Sequence, residues 1–247
     1  MNTQAFDIVV PDLSSSSMPF SITGADCQVL SVSVPPGGRV ECEPGSMLLM
    51  SADIATDVEC GSCGRLCTGE TLCKVVFTNK GASEGFVALT PNYPAKVVPA
   101  NLTKLGGKLI VKSGSYMGAI GKVDLSADAD CNCCSCCCGG MGFLRQAVKG
   151  DGTVFLTAGG TVVQKHLAAN EEIIVDTNSV VGFQDGVAFG LKRTGGCCVC
   201  CCGGEGMFNT TLTGPGLVIL QSMSFEKYKL ALMPLPELQK GEGALSA

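Results

Sequence analysis

The stretch that decides the fold reads C-C-x-C-C-C-G-G-x-G and occurs twice, at residues 133–142 and again at residues 197–206. Five cysteines and three glycines at fixed positions form too specific a pattern to recur by chance, so the two copies indicate internal duplication. The copies also fix a register in which the rest of the chain can be aligned. This register predicts a fold and locates a thiol-rich region, but it contains no pattern that specifies a reaction.

Three similar units emerge when the chain is aligned in this register. The units cover about residues 28–91, 97–159 and 162–222. Their closing strands begin at Gly85, Gly152 and Gly216, which are 67 and 64 residues apart. Because units of this size cannot bury their apolar strand faces alone, we expect them to pack around a pseudo-threefold axis into one closed β domain.

The predicted domain covers residues 21–230 and is flanked by two less regular segments. Residues 1–20 contain a run of four serines and two prolines and are interpreted as a flexible arm with at most one short strand. Residues 231–247, with two prolines and a Gly-Glu-Gly sequence, are interpreted as a peripheral tail.

The composition favours an all-β fold with little helix. The chain has 33 glycines and 11 prolines but only 16% charged residues, and no long window repeats apolar residues at a helical period. Leu30, Val32 and Val34 alternate with serines and end at a Pro-Pro-Gly-Gly turn, which is typical of a half-buried strand. The closing strands predict six core residues: Val87, Leu89, Val154, Leu156, Val218 and Leu220.

Charge and targeting signals exclude several classes of function. A net charge of −5, no tryptophan and only three tyrosines argue against nucleic-acid binding. No lysine or arginine precedes Arg39, so we expect no secretory or mitochondrial leader, and no apolar run reaches the ~20 residues that span a bilayer. Seventeen cysteines without such a leader indicate a reducing compartment, so a cytoplasmic protein is expected, with peripheral membrane attachment as an alternative.

Several motifs resemble one known family. They are Q-x-L-x-V-x-V at residues 28–34, E-P-G-x-M at 43–47, G-G-E-G-M-F at 203–208 and T-G-P-G-L-V-I-L-Q at 213–221. Together they are similar to the altered inheritance of mitochondria protein twenty-four family, and the resemblance covers about residues 20–230.

This resemblance implies a fold but no reaction. Members of the family resemble the tryptophan RNA-binding attenuation protein, with three similar β repeats, and no general catalytic activity is attached to them. The yeast-type members are associated with mitochondrial inner-membrane organisation, which implies a mitochondrial location. The cysteine tracts are a departure from the general family pattern, and likeness to an RNA-binding fold implies no RNA ligand because function depends on the site.

Cysteines occupy the same connection in all three units. If the pseudo-threefold arrangement holds, these connections form a single thiol-rich surface at one end of the domain. Vicinal cysteines lie about 3.8 Å apart at Cα, too close for an unstrained disulfide, so they should find partners in other loops. The candidate site residues are Cys60, Cys63, Cys67, Cys131, Cys133, Cys134, Cys136, Cys137, Cys138, Cys197, Cys198, Cys200, Cys201 and Cys202.

Three uses of these thiols remain open. C-x-x-C spacings at 60/63, 133/136 and 198/201 suit thiolate coordination of zinc, copper(I) or an iron–sulfur cluster. Cysteines beside apolar and basic residues could instead be S-acylated and attach the domain to a membrane. The third interpretation is that the loops are expanded Gly/Cys segments with no dedicated ligand.

Catalytic interpretations are weaker. The single histidine, His166, is interpreted as a surface or core-edge residue, and Glu171 with Glu172 as a solvated turn. The Gly-Glu positions that follow the cysteines are interpreted as structural turns: Gly69, Glu70, Gly140, Gly142, Gly204, Glu205 and Gly206. We therefore predict a non-enzymatic scaffold or assembly protein that binds protein partners, a membrane surface or further copies of itself. The alternative is a thiolate metal-binding or redox-sensing module.

Overall fold

The computed structural model describes residues 7–8, 18–60, 73–127, 145–193 and 208–233. Within these residues the chain forms twenty β-strands, two short 3-10 turns and one α-helix. All strand pairs are antiparallel, so the all-β prediction is confirmed. Two strands precede the regular part of the chain: β1 (Asp7–Ile8) and β2 (Phe20–Thr23).

Eighteen further strands follow in three consecutive segments of six. Segment one contains β3 (Val29–Val34), β4 (Arg39–Cys42), β5 (Met47–Met50), β6 (Ile54–Cys60), β7 (Cys73–Asn79) and β8 (Gly85–Leu89). Segment two contains β9 (Lys96–Asn101), β10 (Lys108–Lys112), β11 (Tyr116–Ile120), β12 (Val123–Ala127), β13 (Arg145–Gly150) and β14 (Thr153–Ala158). Segment three contains β15 (Val162–Leu167), β16 (Glu172–Val175), β17 (Val180–Gln184), β18 (Ala188–Arg193), β19 (Phe208–Thr213) and β20 (Gly216–Gln221).

The same pairing pattern recurs in each segment. The first and third strands pair with the sixth strand, and the second and fourth strands pair with the fifth. The third strand carries a register shift at the same place each time, so that Leu48, Met117 and Val181 are the residues skipped. Gly45 and Gly114 adopt φ of +85° and +80° in the turn before that strand, a region that favours glycine.

Two pairings join one segment to the next. Strand β4 pairs with β11, and β10 pairs with β17, so the second strand of one segment meets the third strand of the following segment. The resulting sheets have the orders β6-β7-β4-β11-β14-β9 and β1-β15-β20-β17-β10-β13-β12, beside the smaller sheets β2-β3-β8-β5 and β16-β19-β18. Hydrogen bonding is therefore continuous across both boundaries between segments.

The core forms because the strands alternate buried and exposed residues. In β3, Leu30, Val32 and Val34 are buried while the intervening residues are partly exposed. All six core residues predicted from the closing strands are buried, which confirms that prediction. The three apolar clusters each mix residues of adjacent segments; for example, Phe155 of segment two belongs to the same cluster as Val32 and Leu89 of segment one. Phe155 also packs edge-on against Phe20 of β2, at 4.9 Å between ring centroids.

One α-helix, α1 (Phe225–Leu232), follows the last strand. It begins at Ser224, whose hydroxyl accepts a hydrogen bond from the backbone N–H of Lys227 at 3.2 Å, a typical N-cap. The helix was not among the sequence predictions, and it crosses the predicted boundary between domain and tail at residue 230.

Candidate functional site

The cysteine-rich segment of residues 61–72 joins the paired strands β6 and β7. At the end of this hairpin Cys60 and Cys73 lie directly opposite each other and form a disulfide, with 4.0 Å between their Cα atoms. Cys60 is exposed and Cys73 is half-buried. The disulfide therefore closes the base of the connection that contains Cys63 and Cys67.

An ion-pair network lies one residue below this disulfide. Glu59 and Lys74 are the next pair in the register, and Arg39 on β4 donates two hydrogen bonds of 2.7 Å to the Glu59 carboxylate. Lys74 Nζ lies 2.6 Å from Oε2 of the buried Glu41, and the Tyr116 hydroxyl donates to Glu41 Oε1 at 3.2 Å. Because Tyr116 belongs to segment two, the network ties the hairpin base to the neighbouring segment.

The charges in this network shift the pKa of both exposed partners. Hydrogen bonding from Arg39 lowers the pKa of Glu59, and the same bond raises the pKa of the Arg39 guanidinium. Both shifts keep the pair charged and hydrogen-bonded. The hairpin base is therefore positioned by charge as well as by the strand ladder.

The other two cysteine-rich segments occupy the equivalent connection. Residues 128–144 join β12 to β13, and residues 194–207 join β18 to β19. These connections lie outside the described residues, so the single thiol-rich surface stays a prediction. The predicted site residues outside the described ranges are Cys63, Cys67, Gly69, Glu70, Cys131, Cys133, Cys134, Cys136, Cys137, Cys138, Gly140, Gly142, Cys197, Cys198, Cys200, Cys201, Cys202, Gly204, Glu205 and Gly206.

The other described cysteines are unpaired. Cys27 is exposed, whereas Cys42 is buried in the core and burial raises the pKa of its thiol to about 12. His166 is exposed, as predicted for a surface residue. Within the described part of the chain, no group of three or more His, Cys, Asp or Glu side chains is placed to hold a metal ion.

A second candidate site, absent from the sequence predictions, is a cleft of about 340 Å³ between the segments and α1. Its walls are the turn at residues 43–46, the connection at 91–93 and residues 112–117. Lys112, a buried residue, lies in this wall and points its Nζ to Glu226 Oε2 at 3.2 Å and Asn178 Oδ1 at 3.3 Å. The cleft thus contains a buried cation that an α1 carboxylate neutralises.

Aromatic contacts and a second ion pair complete the attachment of α1. Tyr93 lies 5.2 Å from the Phe225 ring, and burial raises the pKa of the Tyr93 hydroxyl to about 12. Lys227 Nζ lies 2.6 Å from Asp176 Oδ2. The Lys112–Glu226 and Lys227–Asp176 ion pairs and the Tyr93–Phe225 contact thus attach α1 to the strands.

Sequence signals for these residues were weak but present. Cys73 stands immediately after the cysteine-rich connection and lies opposite Cys60 in the hairpin, but twelve intervening residues leave that register open in the sequence. Lys112 ends the apolar run 109–111, where a lysine on a buried strand requires a partner. That partner, Glu226, lies 114 residues away, and no local pattern identifies it.

The fold and these sites define a repetitive, all-antiparallel β protein with cysteine-rich hairpin connections. Residues 20–223 match the family model described as Mitochondrial biogenesis AIM24, so the chain belongs to that family. A solved structure of a protein from Streptococcus pyogenes is similar in fold, with a TM-score of 0.68 and 20% identity, over 86% of this chain and 97% of that one. None of the curated proteins compared with the chain matches it significantly.

No helix in the described residues is long and apolar enough to cross a membrane.

Proposed function

We propose that this protein is a non-catalytic assembly scaffold in which three equivalent β units surround a pseudo-threefold axis. In this arrangement the cysteine-rich connections emerge together and contact protein partners or a membrane surface. The observation that carries the proposal is that all three cysteine-rich segments join the fourth and fifth strands of identically paired segments.

The recurrent junctions support the arrangement around an axis. Strands β4 and β11 join the first two segments in the same way that β10 and β17 join the last two. Equal units related by two equal steps are compatible with a rotation about one axis in which the third junction, between β16 and β5, stays open, and corresponding connections then leave on the same side. A tryptophan RNA-binding attenuation protein-like architecture fits this description.

Family membership supports a role in mitochondrial biogenesis, with the protein acting at the mitochondrion. An acidic chain with few aromatic residues is poorly suited to nucleic acid, so protein or membrane partners fit better.

The test compares the full chain with a variant in which the ten cysteines of residues 133–138 and 197–202 are replaced by serine. The matched control is Cys27→Ser, since Cys27 is exposed but lies outside the connections. If the connections contact protein partners, the serine variant should lose cross-linked partners. If they contact a membrane, the variant should lose hydroxylamine-sensitive acyl groups and flotation with vesicles. The control should keep these signals. Retention of all these signals by the serine variant would overturn the proposal.

A second candidate is a redox-sensing or thiolate metal-binding module, which the Cys60–Cys73 disulfide favours. In exchange with a small-molecule disulfide, one cysteine thiolate attacks that disulfide and releases one small thiol, and the second cysteine then displaces the other. The two cysteines lose two protons and two electrons, and the small disulfide gains both. Reduction reverses the reaction and frees thiolates for zinc, copper(I) or an iron–sulfur cluster.

This candidate is tested by equilibrating the protein in glutathione buffers, alkylating free thiols and mapping the modified peptides. If the pair is a sensor, it should change between disulfide and dithiol at glutathione reduction potentials of about −180 to −320 mV, the range of cellular glutathione pools. A pair that stays oxidised throughout is structural and contradicts sensing. If protein purified under reducing conditions contains no bound metal, the metal-binding hypothesis is contradicted.

A further inference from the structure

The junctions between segments leave two strand edges without their expected partner. The third strand of segment two pairs with β4, and the third strand of segment three pairs with β10. The third strand of segment one, β5, is an edge strand whose one described ladder is to β8. Likewise β16, the counterpart of β4 and β10, is an edge strand paired with β19.

The open edge of β5 is apolar and exposed. Met47, Leu48 and Leu49 are 45%, 52% and 47% exposed. Leu48 is the residue skipped at the register shift, and the corresponding residues at the two formed junctions, Met117 and Val181, are 2% and 0% exposed. The same strand position is therefore buried wherever a neighbouring segment covers it.

The open edge of β16 shows the same contrast. Ile174 is 52% exposed and lies six residues before the first residue of the next strand. Glu41 and Ile110 occupy this position in β4 and β10, and they are 6% and 4% exposed. An exposed apolar edge strand is a template for pairing with another chain, and native proteins usually cover or blunt it.

The other edge strands lie outside the junctions; among them β9 is an edge in segment two, whereas its counterparts β3 and β15 pair with β2 and β1. The outer strands of the three hairpins, β6, β12 and β18, are edge strands in every segment, so their exposure is part of the repeated design. Only for β5 and β16, among the described strands that form or correspond to junctions, is the junction partner missing. The chain thus carries the two complementary halves of an interface that it already forms twice internally.

We propose that β5 of one copy of the chain pairs antiparallel with β16 of a second copy. The register follows the internal junctions, where Gly118 lies opposite Cys42 and Ala119 lies opposite Glu41. By correspondence, Leu49 lies opposite Val175 and Met50 lies opposite Ile174 of the partner copy. The contact is head-to-tail, so each copy keeps one free β5 or β16 edge until a ring closes or a chain of copies grows.

This inference goes beyond the proposed function, since it concerns a different surface and a second copy of this chain. It requires no cysteine. The serine variant of the cysteine tracts should therefore assemble like the original protein. If the serine substitutions by themselves abolish assembly, the cysteines hold the copies together and the edge pairing is wrong. That outcome would not decide whether the scaffold function is right.

The test blocks one edge at a time under reducing conditions and measures mass by light scattering. Leu48→Lys places a charge on β5 and leaves β16 intact, and Ile174→Lys does the reverse. Val58→Lys is the matched control, because Val58 is an exposed apolar residue on the hairpin strand β6. Circular dichroism verifies that each variant keeps its β-sheet content.

The pairing predicts a specific pattern of masses. The original chain and Val58→Lys should form concentration-dependent assemblies, each edge-blocked variant alone should be a monomer, and their equimolar mixture should be a dimer. The mixture dimerises because each variant supplies the edge that the other lacks. A monomeric original chain, assemblies that resist both lysines, or a dimer formed by either variant alone would each overturn the proposal.

Discussion

Leu156 shows how single buried side chains stabilise this protein. It is fully buried in the cluster shared by segments two and three. Leu156→Ala removes apolar contacts and leaves a cavity, so we expect it to lower the free energy of unfolding by roughly 2–5 kcal/mol in a denaturant titration. Val58→Ala, at an exposed position outside the proposed β5–β16 contact, is the control and should change stability far less. A loss below about 1 kcal/mol for Leu156→Ala would contradict its burial.

Cys42 and Cys27 should differ sharply in reactivity. The thiolate is the nucleophile, and burial raises the pKa of Cys42 to about 12, so almost none is ionised near neutral pH. We expect native-state alkylation followed by peptide mapping to modify the exposed Cys27 and to spare Cys42. In denaturant the two should react alike. Equal native rates would show that the Cys42 region opens readily.

Alternation in the sequence identified the apolar core but not its buried charges. The period-two alternation of apolar residues shows which face of β3 is buried, namely the face with Leu30, Val32 and Val34. Glu41 and Lys112 are also buried; Arg39, two residues before Glu41, lies 3.7 Å from its carboxylate, but the sequence near Lys112 contains no such partner. The closer partners, Lys74 for Glu41 and Glu226 for Lys112, come from another strand and from α1, so the assembled fold makes a charged residue tolerable at those positions.

Helix α1 should loosen in acid. Partial burial, the largest single influence, raises the pKa of Glu226, but the charge and hydrogen bond of Lys112 together with hydrogen bonds at the helix start bring it below its ordinary value. For Asp176 burial is again the largest single influence and raises the pKa, but the hydrogen bonds from Lys227, Asn178 and Ser179 together with the charge of Lys227 outweigh it and lower the pKa. A carboxyl whose folded pKa is depressed stabilises the folded state fully above its unfolded value. That stabilisation is lost as the pH falls from about 4 through the folded pKa.

Hydrogen exchange of the α1 amides as a function of pH measures this effect. We expect protection within residues 225–232 to fall below about pH 4, before the strands of the core lose theirs. Glu226→Gln should remove part of the pH dependence, while Glu84→Gln, on an exposed loop, should leave it unchanged. Protection that is independent of pH down to global unfolding would contradict the anchoring role of these ion pairs.

The β6–β7 hairpin should depend on its disulfide. The bond closes a loop of 13 residues, and constraining the unfolded chain over such a loop contributes roughly 3 kcal/mol. Cys60→Ser, or reduction, should therefore lower the denaturant midpoint. Cys27→Ser controls for loss of a thiol alone. If the oxidised and reduced proteins unfold at the same midpoint, the bond adds no stability to the native state.

Elements with strong local patterns were predictable, and short ones held by distant contacts were not. The alternation at 30–34 and the Pro-Pro-Gly-Gly stop predicted β3 almost to its ends. The eight residues of α1 are too few for a helix to be stable alone. It forms because Ser224 caps it and Tyr93, Lys112 and Asp176 hold it, and none of those three is near it in sequence.

The duplicated cysteine motif predicted that the chain consists of repeated units, but it did not predict the unpaired edges of β5 and β16. A repeat visible in sequence implies similar strands in each copy. Whether a strand edge is covered depends on which segment stands beside it, and the first and last segments each lack one neighbour. The exposure of Leu48 and Ile174 therefore follows from the end of the repeat, not from their residue types.

The three segments should unfold as one unit, although chains of 247 residues often populate intermediates. The reason is that each apolar cluster contains residues from two adjacent segments. The cluster around Leu89 includes Phe155 of the next segment, and the cluster around Leu220 includes Ile110 of the previous one. Opening one segment would expose apolar surface on its neighbour and break the β4–β11 or β10–β17 ladder.

Matched core variants in the two outer segments provide the measurement. Leu89→Ala and Leu220→Ala should each shift a single transition, and far-ultraviolet circular dichroism and hydrogen exchange in all three segments should report the same midpoint. Each probe should move in both variants, because a change in either outer segment destabilises the whole. If Leu89→Ala produces an earlier transition confined to segment one while segment three keeps its original midpoint, the segments are independent domains and the shared core does not couple them.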